Sequence, residues 1–123
     1  ISVAIQKYAE SFGFGVVRDL VGHGIGSHLH EDPEIPNFAR KRKGILLQPG
    51  MTLAIEPMIT EGSYEVVWLD DDWTVMTEDG GWAAHYENTI LITENEPFVK
   101  IEALIWLVPA GCHWLFLQTG CTL

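Results

Sequence analysis

Helical spacing of apolar residues occurs once in this chain, at its start. Ile1, Ala4, Ile5, Tyr8, Ala9 and Phe12 recur at intervals of three and four, which marks one face of a helix over residues 1–12. Gly13 follows where a helix ends in left-handed backbone. Beyond it, glycine and proline cut the sequence into short pieces. Residues 14–21 read as a strand, followed by the glycine-rich passage Gly22-His23-Gly24-Ile25-Gly26. Residues 31–45 carry Pro33, Pro36 and mixed charge and read as a loop, and Gln48-Pro49-Gly50 reads as a turn. Met51 to Met58 is a strand candidate, Glu65–Leu69 and Trp73–Thr77 form a hairpin around Asp70-Asp71-Asp72, and Trp82–Thr93 is the longest strand. The expected fold class is therefore α+β: one N-terminal amphipathic helix followed by a mostly antiparallel sheet.

Length and composition bound the function. The 123 residues are 47% hydrophobic with a formal charge of −10, the size of one domain with a real core. Seventeen acids face seven basic residues, which disfavours nucleic acid, because phosphate binding needs a basic surface. No window reaches the ~18 apolar residues of a membrane span. The segment that opens at Ile1 is amphipathic and does not resemble a signal peptide, so the cytoplasm is the expected compartment. Without an initiator Met, the chain is expected to begin inside a longer protein or after processing.

Charge placement says more than the total. Arg40, Lys41, Arg42 and Lys43 stand together, and from Gly44 to Val99 eleven acids occur without one Lys or Arg. Charge pattern alone leaves two readings: a solvated acidic surface, or a surface from which a few acids turn inward onto a divalent cation. Cys112 and Cys121 cannot make a disulfide framework. Residues 103–117 are almost wholly apolar. This tail could complete the core, cover a sheet edge, or serve self-association or a partner.

Three segments offer metal-type donors: His23 and His30 in GHGIGSHLHEDP, Glu56 in TLAIEPM, and Glu87 in AHYENTI. Imidazole and carboxylate together suit Zn, Mn, Fe or Co. Strand alternation puts Thr52, Ala54 and Glu56 on one face, with Met51, Leu53 and Ile55 opposite, so Glu56 shares its face with small residues and has room for an ion. In the last strand His85, Glu87 and Thr89 share a face. A carboxylate amid so apolar a strand is costly to bury unless it is paired or coordinated. Pattern alone leaves each carboxylate two readings, exposed edge-strand acid or inward ligand. Asp70–Asp72 lacks the spacing of a calcium loop and reads as an exposed turn.

At these residues the chain resembles a known family. GHGIG with HEDPEIPNF, then LQPGMTLAIEPM, then DDWTVMTEDG, then AHYENTILIT run in order between about residues 3 and 97. Together they resemble the C-terminal half of the type I methionine aminopeptidases. Prolidase and aminopeptidase P share the GHGIG and IEP blocks, while the DPEIPNF and HYE stretches favour the methionine enzymes.

The resemblance implies half of a pita-bread fold over residues 1–97, with 98–123 as a tail of separate character. It implies that His23, Glu56 and Glu87 are metal ligands, Glu87 bridging two divalent ions. Glu56 would also serve as general base, and His30 would contact substrate and steady the tetrahedral intermediate. Trp73 and Leu29 would line the pocket for a methionine side chain. The implied substrate is a peptide or nascent-protein N-terminus. The family's other ligands, two aspartates, and an upstream catalytic His lie in the earlier half. Glu10 and Asp19, the acids near the start of this chain, match neither aspartate motif. The competing reading is a non-catalytic module on the same scaffold that binds a partner, a peptide or a single ion.

Overall fold

The structure is a computed structural model, and it describes residues 1–102 and 106–108. The opening segment forms helix α1, Ser2–Ser11. It closes in a Schellman motif: the Gly13 N–H donates to the Glu10 carbonyl at 3.0 Å and the Phe14 N–H to the Ala9 carbonyl at 3.2 Å. Gly13 takes φ +84°, which costs a residue without Cβ nothing. The helix departs from expectation in what its apolar face meets. Ala9 is buried, but Tyr8 is 72% and Phe12 64% exposed, their rings resting edge to face with centroids 5.1 Å apart.

Among the described residues eleven short strands follow: β1 Gly15–Val16, β2 Gly22–Ile25, β3 Glu31–Ile35, β4 Thr52–Ile55, β5 Met58–Thr60, β6 Val66–Trp68, β7 Val75–Thr77, β8 Ala83–His85, β9 Asn88–Leu91, β10 Phe98–Glu102 and β11 Trp106–Val108. They make a four-stranded sheet β1-β5-β8-β11, a five-stranded sheet β10-β9-β4-β2-β3 and a two-stranded ribbon β6-β7. Their pairings are antiparallel. One helix and a mostly antiparallel sheet arrangement match the expected fold class. No helix among the described residues is long and apolar enough to cross a membrane.

The largest correction concerns the two long strands. Met51–Met58 is two strands, β4 and β5, and they belong to different sheets. Trp82–Thr93 is likewise split into β8 and β9. Period-two alternation runs through both breaks, so the pattern did not reveal them. Pro57 supplies one physical cause, since it has no N–H to donate to a ladder. The two bent segments pair with each other on both sides of the bend, Ile55 with Asn88 and Met58 with His85. The Tyr86 N–H donates to the Pro57 carbonyl at 3.2 Å within the bend.

Two further expectations need correction. The glycine-rich passage is a strand, β2, held between β3 and β4. Its glycines allow backbones to approach closely: a Cβ on Gly22 would run into the Ala54 carbonyl oxygen, and one on Gly24 into that of Asp32. The loop expected over residues 31–45 begins with β3, so only its later part is irregular. The strand expected over 14–21 shrinks to β1, with one more contact from the Val17 N–H to the Met58 carbonyl at 3.0 Å.

The turns are as expected. Around Asp70–Asp72, β6 and β7 pair with Val66 opposite Thr77. The Asp71 carboxylate accepts from the Thr74 hydroxyl and from the Thr74 and Trp73 N–H groups. These bonds, led by the Thr74 hydroxyl, hold its carboxyl below the usual aspartate range. Asp79 accepts from the Gly81 and Ser63 N–H groups and is lowered for the same reason. Among the described residues Val16, Val17, Ile35, Leu53, Ala54, Met58, Val75 and Ala83 form the buried apolar core along with Ala9. The tail begins as edge strands, β10 beside β9 and β11 beside β8; the rest of the apolar tail lies outside the described residues.

Candidate metal centre

The bend that divides the two long strands carries the carboxylates. Glu56 lies between β4 and β5, and Glu87 between β8 and β9. The ladders on either side share one register, which, continued across the bend, puts Glu56 opposite Glu87. Two acids facing each other repel, unless a cation lies between them.

His23 reaches the same place from β2. It pairs with Ala54, which pairs in turn with Thr89. This cross-strand row has only an alanine between its polar members, as the small-residue face expected for Glu56 requires. His23 Nε2 lies 3.4 Å from Glu56 Oε1. Its Nδ1 is 2.9 Å from the Gly24 carbonyl oxygen. With the ring proton on Nδ1 donated to that carbonyl, the Nε2 lone pair faces Glu56, the tautomer a metal ligand needs.

Glu56 is 7% exposed. On its other side, Glu56 Oε2 lies 3.6 Å from His85 Nε2. Asn37, fully buried, donates its side-chain N–H to the Glu56 carbonyl at 3.0 Å, which secures the backbone at the bend. A carboxylate this buried is costly unless charge or coordination offsets it. The donor atoms of Glu56, His85 and Glu87 lie within 4.8 Å of one another. Two carboxylates beside imidazoles form a donor set suited to a borderline divalent ion.

The remaining expected residues are less gathered. The His30 ring lies beside that of His23, centroids 4.2 Å apart at 50°, within reach of the same space. Leu29 is 53% exposed between β2 and β3, and Trp73 is 49% exposed in the β6–β7 ribbon. His85 is the functional candidate that sequence reasoning missed. Its signal in the sequence is strand alternation, which puts His85 on the face of Glu87.

The comparisons agree with this chemistry. Residues 1–94 match metallopeptidase family M24. A methionine aminopeptidase of Clostridium acetobutylicum is 60% identical over 97 residues, covering 79% of this chain and 39% of that protein. Methionine aminopeptidase 1 of Bacillus subtilis is 57% identical over 95 residues, covering 77% and 38%. Among solved structures, methionine aminopeptidase from Thermotoga maritima superposes with a TM-score of 0.76 at 55% identity, covering 80% of this chain and 39% of that one. The chain thus spans about two fifths of the length of these relatives. With its bent ribbon, its two facing carboxylates and its flanking imidazoles, the chain belongs to metallopeptidase family M24 and resembles the methionine aminopeptidases within it.

Proposed function

We propose that this chain carries the C-terminal part of a metal-dependent aminopeptidase site that removes methionine from peptide and nascent-protein N-termini in the cytoplasm. The observation that carries the reading is Glu56, buried opposite Glu87 and facing the ring nitrogens of His23 and His85. His23, Glu56 and Glu87 would hold divalent ions, with Co, Mn, Fe and Zn matching the donors. Bound there, such ions supply a Lewis acid for the scissile carbonyl and acidify attacking water.

The protein groups do the rest. Glu56, a buried carboxylate, would serve as the general base. His30, whose ring lies beside that of His23, would contact the substrate and donate a hydrogen bond to the oxygen that gains charge during attack. Leu29 and Trp73 offer exposed apolar surface for the methionine side chain. Such a surface discriminates by only ~1–3 kcal/mol per methylene. The two aspartates and the further His that the resemblance implies would come from a preceding half.

The test is hydrolysis of Met-Ala-Ser by the purified chain with added Co²⁺ or Mn²⁺. Metal-dependent release of methionine that disappears in a Glu56→Gln variant would support the reading. Release that persists in that variant would remove Glu56 as the base. Absence of turnover together with absence of metal binding favours the non-catalytic module. Metal affinity unchanged in Glu87→Ala would remove Glu87 from the centre.

A further inference from the structure

We propose that His85 is an additional metal-ligating residue, so that Glu56, His85 and Glu87 hold one divalent cation without residues from outside this chain. The inference rests on the metal-centre reading above and extends it to a residue that reading leaves unused.

Geometry comes first. The 3.6 Å between His85 Nε2 and Glu56 Oε2 is too long for a hydrogen bond. Donors on a tetrahedral ion with bonds of ~2.0–2.1 Å lie roughly 3.3–3.4 Å apart, close to this separation. Glu87 joins the same group, with donor atoms within 4.8 Å of both. His23 stands apart from that group and meets Glu56 through Oε1. Glu56 therefore turns one oxygen to each imidazole, Oε1 to His23 and Oε2 to His85.

Position in the fold explains why the three donors converge. His85 ends β8 and pairs with Met58, while Glu56 and Glu87 face each other in the bend that follows. Strands on both sides of the bend hold its geometry. The side chains of His85 and Glu56 are 12% and 9% exposed, so little solvent screens them.

Charge gives the second reason. Two carboxylates carry the charge that balances one divalent cation, and a neutral imidazole adds a donor without altering that balance. A second ion would exceed this balance and need further carboxylates.

The experiment measures metal affinity rather than turnover. Co²⁺ alone is titrated into the full chain by calorimetry, with folding of each variant checked by circular dichroism. One Co²⁺ per chain is expected, and His85→Gln should weaken binding by more than about tenfold, at least the loss seen when a ligand's supporting shell is disturbed. If His85→Gln does not fold, a second measurement decides. In a Co²⁺-loaded chain carrying His23→Gln and His30→Gln, His85 remains the imidazole facing Glu56. An exchangeable ring N–H signal, shifted far from the diamagnetic range, is then expected in its proton NMR spectrum. Equal affinity in wild type and His85→Gln, or no such signal, overturns the role of His85 and leaves the metal centre standing. A wild-type chain that binds no Co²⁺ overturns both.

Discussion

The bend around Glu56 and the apolar face of α1 come from equally regular sequence patterns and end in opposite surroundings. Glu56, a carboxylate, is 7% exposed, while Tyr8 and Phe12, large aromatics, are 72% and 64% exposed. Residue polarity alone would order them the other way. The difference lies in where each pattern finds its partner. Glu56 meets residues that adjacent antiparallel strands deliver in register, Glu87 across the bend and His23 from β2. A helix face has no such ladder: Ala9 is the buried residue of α1, and the Tyr8 and Phe12 rings rest on each other.

Three substitutions would break or sharpen this contrast. Leu53→Ala should have the largest effect. Leu53 is 1% exposed in β4, beside the bend, and removal of a side chain so buried costs about 2–5 kcal/mol. Urea denaturation measures it, and a loss under ~1 kcal/mol would mean the strand that carries Glu56 is loosely packed.

Asn37→Ala comes next. It deletes a fully buried N–H donor to the Glu56 carbonyl and leaves that acceptor without its partner, a penalty of about 1–3 kcal/mol. Co²⁺ affinity should fall too if Glu56 is a ligand as proposed, because the backbone that bears it is released. Unchanged affinity with lowered stability would confine Asn37 to a structural part.

Tyr8→Ser should matter least. An exposed site away from core and ligands shifts stability by only about 0.5 kcal/mol, with a little more from the lost ring pair. A loss of several kcal/mol would mean that the α1 face is covered in solution, and the contrast would collapse.

Much of the molecule was legible because local chemistry wrote it. Gly13 marked the helix end, since left-handed backbone suits glycine. Asp70–Asp72 marked the β6–β7 turn, since an aspartate closes a turn with its own backbone neighbours. Glu56 and Glu87 stood out as carboxylates in apolar strands. What stayed hidden was non-local. Nothing within Gly22–Ile25 says that Ala54 and Asp32 approach closely enough to require glycine there. Glu31–Ile35 carries Asp32, Pro33 and Glu34, a poor strand composition, and pairs because β2 lies beside it. His85 could be placed on the face of Glu87, but its distance to Glu56 exists only once β8 and β5 are paired.

By itself, then, the sequence determined the element types, the turns and the chemical identity of the donors, because these follow from φ preference, period and side-chain chemistry within a few residues. Tertiary structure alone decided that each long strand bends into a second sheet, that Glu56 faces Glu87, and that His85 joins them. Those facts depend on which strands share hydrogen bonds, and register between strands thirty residues apart is written in no single segment.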